Sequence, residues 1–124
     1  MKNKRLLTID DEESIQIVIK FGIHMVAGWE VLSASDGRMG IDTAKRELPD
    51  AILLDVMMPE MDGIATFKEL QANHITAGIP VIFLTAKAQT AEKKQFNDLG
   101  VSGVITKPFN SLDLPERISK ILNW

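Results

Sequence analysis

The stretch Ala51-Ile52-Leu53-Leu54-Asp55-Val56-Met57-Met58-Pro59-Glu60-Met61-Asp62-Gly63 decides how the rest of the chain is read. An apolar run rich in Ile and Leu ends abruptly in a carboxylate, and a loop of Pro, Asp and Gly follows at once. A short apolar run bounded by turn residues reads as a strand buried on both faces. Asp55 then stands where that strand leaves its sheet. An ionised carboxylate is costly to bury unless something pairs with it, so the position asks for a cation or a chemical task. Taken alone, the stretch has a plainer reading, an Asp that caps the following loop.

Upstream, Arg5-Leu6-Leu7-Thr8-Ile9 reads as a first strand, stopped by Asp10-Asp11-Glu12-Glu13. Residues 14 to 27 follow with apolar side chains at 15, 18, 19, 23 and 26, a helical stripe closed by Gly28. Trp29 to Ala34 is a more polar second strand, as an edge strand tends to be. Asp36 is placed to cap the next helix, where Ile41, Ala44 and Leu48 give a thin apolar face before Pro49. Downstream of the opening stretch, Ile64 to Asn73 is a helix with Phe67 and Leu70 inward, and Ile79 to Leu84 a buried strand ending in Thr85-Ala86. A polar helix over about 89–99 has Phe96 and Leu99 as its main apolar side chains and stops at Gly100. Gly103 to Thr106 is the last strand, leading into Lys107-Pro108-Phe109. Ser111 or Asp113 caps the final helix, with Leu114, Ile118, Ile121 and Leu122 on one side and Pro115 tolerated in its first turn.

Five strands thus alternate with five helices, without a linker, low-complexity tract or internal repeat. Such alternation implies an α/β fold, a doubly wound parallel sheet with right-handed crossovers and helices on both faces. At 124 residues the chain reads as one domain with a single substantial core. A hydrophobic content of 45% excludes disorder, and no apolar run approaches the length of a membrane span. The basic start Met1-Lys2-Asn3-Lys4-Arg5 precedes an apolar run too short for a signal peptide. There are no cysteines, which removes disulfides, thiolate metal sites and cysteine nucleophiles, and suits the cytoplasm. A net charge of -3 argues against direct binding of nucleic acid. Lys93-Lys94 and Lys45-Arg46 are most simply solvated helix faces.

Ligands of doubly wound sheets bind at the carboxyl ends of the strands, so the residues that close each strand matter most. They are Asp10 and Asp11 after the first strand, Asp55 after the third, Thr85 after the fourth and Lys107 after the fifth. Two carboxylates ~5 Å apart repel by roughly 3 kcal/mol at an effective dielectric near 20. Three carboxylates with one lysine keep a net negative charge that one divalent cation cancels. Hard oxygen donors, with no His or Cys nearby, favour Mg²⁺ or a similar ion over zinc. A phosphoryl group on Asp55 leaves an excess charge that Lys107 and the metal can bear, and the Thr85 hydroxyl can donate to a phosphoryl oxygen. Together these parts suit in-line phosphoryl transfer to a carboxylate. Each residue also has a bland role: helix N-terminal acids for Asp10 and Asp11, an ordinary strand-end Thr, a solvated loop lysine. Their joint arrival at strand ends is what argues for a site.

The whole chain resembles the receiver domain of bacterial two-component response regulators. The blocks that carry the resemblance are Ile9-Asp10-Asp11-Glu12, the run from Leu53 to Gly63, Leu84-Thr85-Ala86 and Thr106-Lys107-Pro108-Phe109. It implies a flavodoxin-like sheet of order 2-1-3-4-5, with residues 1–124 as one receiver domain. It further implies Asp55 as phosphoacceptor, charged from a phosphohistidine on a sensor histidine kinase or phosphotransfer protein. Mg²⁺, or Mn²⁺, would be held by Asp11, Asp55 and the backbone carbonyl of Met57, with Asp10 acting through a coordinated water. Lys107 would pair first with Asp55 and then with the phosphoryl group, while Thr85 would move toward it and shift a pre-existing two-state equilibrium. A cis Lys107-Pro108 peptide is expected on the same ground. Where the family most often has Tyr or Phe, three residues before the lysine, this chain has Val104, so a muted or loop-carried switch is expected. Met57 and Lys87 occupy positions that tune hydrolysis in the family. The chain stops directly after the final helix, and its Met1 start favours a stand-alone receiver that docks to other proteins.

Three other readings are weighed against this one. An aspartate-nucleophile phosphatase of the haloacid dehalogenase type carries a second Asp two residues after the nucleophile, where this chain has Met57. A flavodoxin-like FMN binder needs a phosphate loop after the first strand, and Asp10-Asp11-Glu12-Glu13 would repel it. A degenerate receiver usually lacks an acid or the lysine, and all are present here.

Overall fold

The computed structural model describes residues 3–86 and 90–124. Its elements run β1 (Arg5–Ile9), α1 (Glu13–Ala27), β2 (Glu30–Ala34), α2 (Gly37–Glu47), β3 (Ala51–Asp55), α3 (Gly63–Ala72), β4 (Val81–Thr85), α4 (Thr90–Leu99), β5 (Gly103–Thr106) and α5 (Leu114–Leu122), with a 3-10 turn at Ser111–Asp113. All neighbouring strands are parallel, in the order β2-β1-β3-β4-β5. The sheet expected from the alternation of elements is therefore the one that forms.

Parallel strands alternate side chains between two covered faces, and the core divides accordingly. Leu7, Ile9, Ile52, Leu54 and Phe83 pack toward α2, α3 and α4, against Ile41, Ala44, Phe67, Leu70 and Phe96. Phe83 meets Phe67 and Phe96 edge-on, at centroid distances of 5.7 and 5.1 Å. Leu6, Leu53, Ile82, Leu84 and Ile105 face the other way, toward α1 and α5, against Ile19, Ile23, Trp29, Leu114 and Ile118. No helix among the described residues is long and apolar enough to cross a membrane.

The structure corrects several local expectations. On α1, Val18 and Val26 face outward, while Gln16 and Gly22 take inward positions beside Ile19 and Ile23. Leu48 is exposed, because it adopts the left-handed C-cap of α2. Ser111 lies in the 3-10 turn and Asp113 precedes α5 without a capping bond; the Asn110 side chain caps this turn, accepting from the Leu112 N–H at 3.0 Å. Asp36 and Asp62 do cap α2 and α3, accepting from the N–H groups of Met39 (2.7 Å) and Ala65 (2.8 Å). Lys87 and Gln89 lie outside the described residues.

Candidate functional site

Asp55 is the last residue of β3 and only 2% exposed. Parallel pairing carries the carboxyl ends of β1, β4 and β5 to the same rim, in the register Ile9↔Leu54, Asp55↔Leu84 and Thr85↔Thr106. Asp10 and Asp11 follow β1 directly, and Lys107 follows β5. One oxygen on each of Asp10, Asp11 and Asp55 lies within 4.8 Å of the others, with Asp11 exposed and its two partners buried. Lys107 Nζ reaches Asp55 Oδ1 at 3.3 Å and Asp10 Oδ2 at 3.4 Å. Thr85 is buried on the same rim, and its carbonyl accepts the Lys107 N–H at 2.9 Å. The five residues singled out in the sequence are thus brought together.

The backbone around Asp55 is tightly held. Its Oδ1 accepts the Met57 N–H at 3.3 Å, and the Gly63 N–H donates to the Val56 carbonyl at 3.0 Å. A side chain on Gly63 would place its Cβ 2.4 Å from the Asp55 carbonyl oxygen, so the close approach of α3 to the end of β3 requires glycine. The Lys107-Pro108 peptide is cis.

Gln16 was missed by the sequence reading. Its Nε2 donates to the carbonyls of Ala34 (2.9 Å), Asp10 (3.1 Å) and Thr8 (3.3 Å), and its Oε1 accepts from the Thr8 hydroxyl. This buried amide ties the ends of β1 and β2 together directly behind Asp10. The sequence carries no clear signal for it, because α1 is apolar on two sides and its spacing does not say which one faces in.

Burial, and then the nearby Asp10 charge, raise the Asp55 carboxyl from 3.8 to about 6, against the opposing pull of Lys107. For Lys107, burial lowers the ammonium, but Asp10 and Asp55 together outweigh it and leave the group raised and charged. The Asp55 carboxyl resists ionisation, and with Asp10 and the exposed Asp11 it forms a set of hard oxygen donors that fits a divalent cation. Such an ion would supply charge neutralisation that Lys107 alone does not complete. Beside Lys107 lies a shallow groove of about 300 Å³ walled by Ile15, Val18, Ala86, Pro108 and Phe109. A larger cavity, about 940 Å³, sits against Lys4, Phe21, Met25 and Trp29 and does not touch the acidic cluster.

The fold and the rim define a flavodoxin-like sheet with an acidic, lysine-bridged pocket at the carboxyl ends of β1, β3 and β5. The family model for the response regulator receiver domain matches residues 6–119, and the chain belongs to that family. It is 38% identical over 120 residues to the alkaline phosphatase synthesis transcriptional regulatory protein PhoP of Bacillus subtilis, covering 97% of this chain and 49% of that protein. The chain spans about half the length of the curated relatives it matches. Among solved structures, the chemotaxis protein CheY4 of Vibrio cholerae superposes with a TM-score of 0.88 at 28% identity, covering 97% of this chain and 99% of that one. The receiver domain of the sensor histidine kinase PA1611 of Pseudomonas aeruginosa, with a magnesium ion coordinated in its active site cleft, gives 0.85 at 26%, covering 99% and 100%. The haloacid dehalogenase reading finds no support, and the position two residues after Asp55 is the half-exposed side chain of Met57.

Proposed function

We propose that this chain is the phosphoacceptor module of a two-component phosphorelay, with Asp55 taking a phosphoryl group from a phosphohistidine on a histidine kinase or phosphotransfer protein. The observation that carries the reading is the lysine-bridged pair Asp10–Lys107–Asp55, with Asp11 alongside. The carboxylate of Asp55 attacks phosphorus in line; an O–P bond forms as the P–N bond to imidazole breaks, and its electron pair returns to the ring nitrogen. Among the described residues, the hydrogen bonds that position Asp55 fall on Oδ1, which supports attack through Oδ2. Lys107 holds the carboxylate before transfer and then balances the phosphoryl charge. Thr85 donates its hydroxyl to a phosphoryl oxygen, coupling the site to the loop that follows β4.

Asp11, Asp55 and the Met57 carbonyl would hold Mg²⁺, or Mn²⁺, with Asp10 in support through water. The same residues assist a slow hydrolysis that returns the module to its resting state, so the chain acts as a self-assisting phosphoacceptor and no separate enzyme activity is assigned to it. Intact mass after treatment with acetyl phosphate and Mg²⁺ tests the reading. One added phosphoryl group is expected, and none in Asp55→Asn. No gain, or an undiminished gain in that variant, overturns it.

A further inference from the structure

The cavity of about 940 Å³ lies away from the acidic rim, at the end of the sheet where Arg5 and Glu30 open β1 and β2, and it has the size of a small-molecule site. One of its walls is the second half of α1. There Lys20 and His24, one turn apart, run beside Phe21 and Met25, also one turn apart, so a basic row and an apolar row lie next to each other. Phe21 and Met25 are 59% and 61% exposed, whereas Trp29 and Val31 are buried on the inner side of the cavity.

The charges on these walls decide what the cavity suits. Neither Lys20 nor His24 has an ion pair or a side-chain hydrogen bond among the described residues, and two bases one turn apart repel when both are charged. Lys4 sits over the Trp124 ring, 4.6 Å from its centroid, and pairs with no acid among the described residues. The two acids at the cavity are already engaged by Arg5: Glu30 accepts from its Nε at 3.2 Å and Asp50 from its backbone N–H at 2.8 Å. The charge left free is therefore basic, in a chain whose net charge is -3. A dianionic phosphate would find no free guanidinium fork, because that of Arg5 is spent on Glu30 and Glu47, and it would meet the negative end of the α1 dipole. A singly charged head group suits these separate point donors better. We propose that this cavity binds a small amphipathic carboxylate, with its anionic group at Lys20 and His24 and its apolar body against Phe21 and Met25. The site uses no residue of the acidic rim and stands independently of phosphoryl transfer.

Backbone amide shifts of the full chain, titrated without added metal and with 2-naphthoate as the probe, test this. Saturable shifts are expected over residues 20–31 and at the start of β1, with a Kd below about 1 mM. The uncharged 2-naphthamide should bind at least about tenfold more weakly, and Lys20→Gln and His24→Gln should each weaken 2-naphthoate about three- to fivefold. Phe21→Ser should weaken it at least about tenfold, whereas Ile17→Ser, on the same helix but off the cavity, should leave it unchanged. All four substituted side chains are exposed, so native circular dichroism spectra are expected of the variants. The proposal is overturned by no saturable shift up to about 5 mM, by equal binding of the amide, or by tighter binding of 2-naphthyl phosphate. Affinity unchanged in both Lys20→Gln and His24→Gln, or lost in Ile17→Ser, overturns it as well.

Discussion

Burial and the neighbouring Asp10 both oppose ionisation of Asp55, and the consequence is a pH-dependent stability that one substitution should abolish. Because its folded value of about 6 lies above 3.8, the folded chain holds a proton that the unfolded chain has already lost across that window. Stability therefore falls as pH rises from about 4 to about 6, by up to about 3 kcal/mol for the metal-free protein, and stays low above it. Asp55→Asn removes the group, so in EDTA the variant should melt higher than wild type at pH 7 and lose this slope. Mg²⁺ should raise the wild-type melting temperature at pH 7 and leave the variant nearly unchanged; a wild type indifferent to Mg²⁺ would count against the cation site. Gln16 offers a second test at this scale. Gln16→Met keeps the volume but leaves the carbonyls of Thr8, Asp10 and Ala34 without their shared donor, at a cost of about 1–3 kcal/mol. Denaturant midpoints should show the loss, and calorimetric Mg²⁺ titration should show weaker binding, because the backbone of Asp10 is no longer held.

Elements differ in how clearly the sequence announces them, and α3 shows where a single residue sets the placement of a whole helix. Gly63→Ala would drive a methyl group into the Asp55 carbonyl and Val56 Cα, so α3 must shift or β3 must bend. A loss of about 1–3 kcal/mol is expected, with impaired phosphorylation by acetyl phosphate; an alanine variant of native stability would show that the contact relaxes freely. The reading of β1 and β5 coincides with the structure end to end, because each is bounded by charged or turn residues. The third strand runs one residue further than its apolar run, taking Asp55 into the sheet. Helix α1 was misread for a physical reason: with apolar residues on both sides, a period of 3.6 establishes a helix without identifying its inner face. Val18 was read inward and faces out; Gln16 is polar and faces in, satisfied by carbonyls that only the tertiary fold supplies. The site residues were legible because strand ends converge by topology, whereas the Gln16 network depends on how α1 is rotated, which no spacing encodes.

Across the molecule, the open question is how a charge change at Asp55 travels to a surface. Val104 pairs with Phe83 across β4 and β5, is half-buried, and packs against the core face that holds Phe67, Phe83 and Phe96. A valine has no ring to swing between an outward and an inward position, and its single χ1 leaves it few alternatives. The aromatic edge-on trio beneath it is fixed between β4, α3 and α4, so a large side-chain rearrangement there would break packed contacts. What remains free to respond is backbone attached to the site: Lys107, hydrogen-bonded to the Thr85 carbonyl, and the Pro108-Phe109 segment that follows it. The expected response is therefore local, centred on the loops after β1, β3 and β5. Backbone amide shifts with and without beryllofluoride and Mg²⁺ check this. Changes should be largest near Asp11 and Met57, and small across residues 101–106. Val104→Tyr should enlarge the response along β5, if an aromatic there finds room to turn inward when Thr85 moves. Large shifts through residues 101–106 in the wild type would contradict the argument, since they would mean that β5 moves with only the side chain of Val104 to carry the change.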